Sequence, residues 1–246
     1  MTPLAVALSL SLLVGVTLGL LGGGGSILTL PILTFVLGVE DKAAIATSLM
    51  VVSLTSAAAL ISHARAGNVD WRVGLTFAAA GSAGALGGGL LAQHVPGSWL
   101  IWGFLLMMVA TGIAMLRGRQ ECAAARAPST GKIVLDGAVV GLVTGLVGAG
   151  GGFLVVPALT LLGGLPMSRA VGTSLLVIAI KSVFGFAGHL SHVTIDWGLA
   201  ASVSAAAVAG SFVGGAFVSK VPASSLRQAF GVFVLIMAVF LGWKQL

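Results

Sequence analysis

Charge is what this 246-residue chain has least of: charged side chains make up 7% of it against 58% hydrophobic ones, and the mean hydropathy is +1.14. Soluble domains carry roughly a quarter charged residues, so a water-soluble fold is excluded and the medium is a bilayer. Cysteine occurs once, as Cys122, which excludes an internal disulfide and any electron carrier that needs two facing thiols. The first apolar run has no basic leader and continues straight into a glycine cluster, so it is read as part of the mature fold rather than as a cleaved signal. The net charge of +6 comes from basic residues dispersed through short loops, a pattern that excludes a nucleic-acid surface and leaves those residues to set orientation in the membrane. Catalytic signatures are missing too. Neither a nucleophile elbow with a paired histidine nor an HEXXH ligand pair occurs, so no intramembrane protease is expected, and no metal or cofactor is called for. The glycine runs lack the strand and acidic partner of a nucleotide loop.

What remains is apolar and periodic. Stretches long enough to cross about 30 Å of hydrocarbon, roughly 20 residues each, begin near residues 4, 43, 73, 99, 133, 170, 197 and 224. The expected fold is an all-α, multi-pass protein of the cell inner (plasma) membrane. A displacement of 126 positions lays one half on the other without a gap. Gly15, Gly19, Gly22, Gly24, Gly25 and Pro31 fall on Gly141, Gly145, Gly148, Gly150, Gly151 and Pro157. Thr47 and Ser48 fall on Thr173 and Ser174, His63 on His189, Asp70 and Trp71 on Asp196 and Trp197, and Pro96 on Pro222. The chain therefore divides into a first repeat of four segments (1–116), a cytoplasmic linker (117–132) and a second repeat of four segments (133–246). Duplicated halves with glycine-broken segments are the pattern of a transporter whose site lies between repeats.

The first segment of each half cannot be one straight helix. Residues 4–37 contain Gly22 to Gly25 and Pro31, and residues 133–163 contain Gly148, Gly150, Gly151, Gly152 and Pro157. Glycine costs about 1 kcal/mol relative to alanine in a helix, and proline removes a donor and clashes with the preceding turn. Amides freed inside lipid must be satisfied by protein, water or ligand, so a polar interior cavity is expected. Orientation follows from the basic residues. If all eight segments span, the two faces carry 7 and 4 of them; if the broken segments are re-entrant and the halves inverted, the tally is 9 to 2, with Lys42 and Lys244 on the minority face. The inverted arrangement fits better.

Successive backbone amides at a helix break form an anion-binding nest. Gly22, Gly23, Gly24, Gly25 and Ser26, with Gly148, Gly150, Gly151 and Gly152, are accordingly candidates for substrate binding, against the plain alternative of close helix packing. Lys181 lies in the apolar run from Ala170 to Leu190, where a charge costs at least about 2.5 kcal/mol and normally faces a cavity or partner. All six acids fall at or near segment ends, which leaves a mobile anion as its natural partner. Thr173, Ser174 and Lys181 recur at helical spacing. Thr47, Ser48, Thr173 and Ser174 can cap helices, bond back to carbonyls or donate to substrate oxygens. His63 and His189 are candidates for the pathway or for proton linkage. Asp70 with Trp71 and Asp196 with Trp197 look structural, a helix-start acid followed by an interfacial aromatic.

The motifs GLLGGGGSILTLPIL and GLVGAGGGFLVVPAL, each followed by a segment containing ATS or GTS, resemble those of the TauE/SafE sulfite exporter family, and the likeness covers nearly the whole chain. The resemblance implies transport of small sulfur-containing anions such as sulfite or sulfoacetate, often as export. An anion channel, an importer coupled to H+ or Na+, and an accessory subunit are the alternatives. The partners expected are a small anion and the lipid bilayer, with a homodimer left open.

Overall fold

A computed structural model describes residues 3–23, 28–30, 32–92, 94, 97–117, 129–147, 152–189, 193–218 and 221–245. Its helices are α1 (Pro3–Leu21), α2 (Asp41–Arg65), α3 (Trp71–Ala92), α4 (Gly97–Arg117), α5 (Thr130–Val147), α6 (Gly152–Pro157), α7 (Met167–His189), α8 (Trp197–Val218) and α9 (Ala223–Gln245). Two π-helical turns, Ile32–Val36 and Ala158–Leu162, complete the order. No strand occurs among the described residues. The protein is all-α and multi-pass, and the eight long helices begin within three residues of the expected positions. Among the described residues four helical stretches, Lys42–Arg65, Met167–Ala187, Trp197–Phe217 and Ala223–Phe240, are long and apolar enough to cross a membrane. The outer faces suit lipid, with Leu86, Leu106, Phe184 and Val239 all at least 70% exposed.

Past its proline each broken segment continues in the same way. Each π-helical turn starts at the residue after a proline, whose missing N–H and bulky ring force a wider turn. Leu37 N then donates to Ile32 O (3.3 Å), and Gly163 N donates to Ala158 O (2.9 Å). One step on, Val39 N reaches Leu33 O (3.0 Å) and Leu165 N reaches Leu159 O (2.9 Å). Gly38 and Gly164 make these closures with φ of 66° and 68°, the left-handed conformation that glycine takes without strain. Every one of these residues maps on its counterpart by the displacement of 126. The expected helix-start acids also recur: Asp70 Oδ1 accepts from Val73 N and Asp196 Oδ1 from Leu199 N, both at 3.0 Å, as N-caps do.

Glycine decides which helices meet. A Cβ at Gly84 would fall on Ala138 O and Leu142 N, and one at Gly210 on Leu12 O and Val16 N, the equivalent contacts in the other half. Likewise Gly15 lies on Ala207 O, and Gly141 on Gly81 O. These close approaches pack α3 on α5 and α1 on α8, each pair running parallel. The helices that pair with their own counterparts run antiparallel. Gly172 meets His63 while Gly185 meets Leu49, so α7 opposes α2; Gly112 meets Leu235 while Gly242 meets Leu105, so α9 opposes α4.

Finally α2 runs parallel to α8, with Val51 beside Val203 and Ala207 and Ser62 beside Gly215. Since α1 and α2 both follow α8, the chain must return between Leu21 and Asp41. The returning leg packs Leu28, Ile32 and Val36 against Ala7, Leu10 and Val14 of α1.

Candidate functional site

Helix α7 lies at the centre, against α2, α3 and α6, and it carries four of the residues singled out from sequence, Thr173, Ser174, Lys181 and, at its end, His189. Thr173 is fully buried and faces α3, where its Oγ1 accepts the Asp70 amide at 3.0 Å. Its own hydroxyl proton stays free of that bond. Ser174, turned by about 100° along the helix, is also fully buried and lies where α1 ends. A Cβ at Gly22 would stand 2.5 Å from Ser174 Oγ, 3.1 Å from Val156 Cγ2 and 3.2 Å from Val171 O. Gly22 has a φ of 76°, so both conformation and space demand glycine. The first break thus meets α6 and α7 with no room for a side chain.

The paired hydroxyls bond to their own backbone: Ser174 Oγ donates to Val171 O at 2.7 Å and Ser48 Oγ to Ile45 O at 2.8 Å. While so bonded neither has a proton to offer an anion, and the bond bends the helix slightly. Thr47 is buried on α2.

Lys181 lies three residues past the middle of α7, about 4.5 Å along the axis, and seven residues beyond Ser174. It is half-buried. Among the described residues its hydrogen-bond partner is Thr144 Oγ1 on α5 at 3.4 Å, and Thr144 in turn donates to Gly141 O at 2.9 Å. Thr144 is buried in the last turn of α5, which leads into the second glycine run. Helix α7 therefore touches the approach to both breaks, the first through Ser174 and the second through Lys181. Sequence reasoning missed Thr144, because its counterpart by displacement is Leu18.

His63 is fully buried on α2, with Nε2 2.9 Å from Gly19 O in the last turns of α1. Of the other candidates, Gly23 follows Gly22 at the end of α1 and Gly152 opens α6. Gly24, Gly25, Ser26, Gly148, Gly150 and Gly151 lie outside the described residues, as does the side chain of His189. Three or more His, Cys, Asp or Glu side chains in metal-binding proximity do not occur among the described residues.

The family model described as "Sulfite exporter TauE/SafE" matches residues 7–241. A "Probable membrane transporter protein" of Xylella fastidiosa (strain 9a5c) is 36% identical over 241 residues, 95% of this chain and 92% of that protein. "Probable membrane transporter protein YdhB" of Bacillus subtilis is 26% identical over 223 residues, 88% and 91% of the two chains. "Probable membrane transporter protein MJ0441" of Methanocaldococcus jannaschii is 30% identical over 195 residues, 75% and 73%. No solved structure matches the chain.

Proposed function

The chain belongs to the TauE/SafE sulfite exporter family, and on that footing we propose that it exports a small sulfur-containing anion by alternating access between two inverted repeats. The observation that carries the reading is Lys181: an ammonium near the middle of a membrane-spanning helix, with a neutral hydroxyl as its partner among the described residues. A cation held there without a carboxylate is offset most simply by a mobile anion.

Inversion is supported by helix direction. Equivalent helices α2 and α7 oppose each other, as do α4 and α9, the directions expected of halves related by an axis in the membrane plane. With the halves so arranged, nine basic residues share the face of the 117–132 linker and two lie opposite, the bias of a cytoplasmic face. An inside-negative potential then favours anion exit by about 2.3 kcal/mol per charge per 100 mV, so export needs no coupled ion.

The test is flux of sulfite, thiosulfate, sulfoacetate, taurine and sulfate in proteoliposomes holding the pure protein. One of the anions should move with saturation and counter-flow, and Lys181→Met should lower its kcat/KM by at least about thirtyfold. That figure takes about half of the 4 kcal/mol Coulomb attraction at 4 Å and an effective dielectric near 20. No movement of any of the five, or equal flux in the variant, would overturn the proposal.

A further inference from the structure

Helix α1 ends in a way that leaves a carbonyl over. In an uninterrupted helix Gly19 O would receive the amide of Gly23, but Gly22 turns the chain with a φ of 76° and Gly23 N donates to Leu21 O at 3.0 Å. Carbonyls in a last helical turn must find another donor. Gly19 O finds one on a different helix, His63 Nε2 at 2.9 Å. A carbonyl oxygen only accepts, so Nε2 carries the proton. The other ring nitrogen, Nδ1, is buried without a partner among the described residues.

The surroundings hold the ring in place. A Cβ at Gly19 would strike Ser211 O and Gly215 N of α8, and one at Gly172 of α7 would stand 3.2 Å from His63 Cβ. Four helices, α1, α2, α7 and α8, meet around the Gly19–His63 contact, with glycine at the close approaches of α1 and α7. Both partners recur in the duplicated sequence, Gly19 as Gly145 and His63 as His189.

We infer that His63 is a positioning residue that caps the open end of α1 and so fixes where the first break begins, beside Ser174, rather than a proton carrier. Its effect on transport rests on the function proposed above, whereas its effect on α1 does not. Glutamine can place an amide donor where Nε2 stands; asparagine reaches only as far as Nδ1, and leucine has no donor.

The experiment compares His63→Gln, His63→Asn and His63→Leu in lipid nanodiscs by hydrogen–deuterium exchange of residues 19–23, alongside flux in proteoliposomes. Exchange should rise about tenfold in the Asn and Leu variants and stay within about twofold of wild type in the Gln variant. The KM of the transported anion should follow the same order, and the flux–pH profile of the Gln variant should match wild type. A Gln variant that behaves like Leu, or an Asn variant that behaves like wild type, would overturn the assignment. If wild type moves no sulfur anion, the transport proposal fails while the exchange comparison still decides the role of His63.

Discussion

Two glycines three residues apart on α3 should respond in opposite directions to the same added methyl. At Gly84 the new Cβ would fall on Ala138 O and within 2.9 Å of Leu142 N, both main-chain atoms of α5. At Gly87 it would meet nothing within 4 Å among the described residues. Alanine is favoured over glycine in a helix by about 1 kcal/mol, and that gain applies at both sites. Only Gly84→Ala must also drive two helices apart. Overpacking of this kind costs roughly 1–3 kcal/mol, and here the neighbour is backbone and has no rotamer to change.

The two variants should therefore differ by about 2 kcal/mol, which for a chain of this size is about 4–8 °C in Tm, with Gly87→Ala above wild type and Gly84→Ala below it. Thermal unfolding in detergent, followed by tryptophan fluorescence or circular dichroism, reads the difference. Gly210→Ala supplies the internal check, since its Cβ meets Leu12 O and Val16 N as that of Gly84 meets Ala138 O and Leu142 N. Equal stability of Gly84→Ala and Gly87→Ala would refute the packing argument. Opposite responses at Gly84 and Gly210 would refute the equivalence of the two helix pairs.

Gly22→Ala should lower stability by about 1–2 kcal/mol for the left-handed backbone alone, and should depress flux further because its Cβ presses on Ser174 Oγ and Val156; a variant with native Tm and native kcat/KM would count against a role for that contact. Asp70→Ala and Asp196→Ala each remove an N-cap, with an expected loss of about 1 kcal/mol apiece in the same unfolding assay and little change in KM; a large KM effect with unchanged Tm would instead place these carboxylates on the pathway.

The segments were legible because hydropathy and length are enough to find them, and the breaks because glycine and proline act on the backbone itself. Asp70 and Asp196 could be read as caps from their position ahead of apolar runs, and Lys181 from its isolation. What could not be read was partnership. Ser48 and Ser174 stand where a substrate donor is wanted, yet each hydroxyl bonds the carbonyl three residues back, a local choice that sequence does not reveal. Thr144 carries no charge and its counterpart is Leu18, so nothing in the sequence sets it apart. Gly38 and Gly164 do match, but only their positive φ shows that they close the two π-helical turns. The basic residues favour inverted halves, but the contacts that set helix direction join residues far apart in the chain, such as Gly84 with Ala138 and Gly15 with Ala207, and sequence does not reveal them.

The departures from symmetry are as informative as the matches. At the positions equivalent to Lys181 and Thr144 the first repeat has Thr55 and Leu18. Leu18 is fully buried, and so is Thr55, whose hydroxyl donates to Val51 O at 2.6 Å. The first half therefore closes with its polar group satisfied by its own helix, while the second opens the same place with an ammonium and a hydroxyl drawn from two helices. A second lysine at position 55 would lie at nearly the same depth as Lys181, since α2 and α7 run antiparallel and residues 53–54 face residue 181 between the Leu49–Gly185 and His63–Gly172 contacts. Two cations there would repel by about 4 kcal/mol at 4 Å and an effective dielectric near 20. If the chain carries one small anion as proposed, a second cation would add repulsion with no second ligand to offset it.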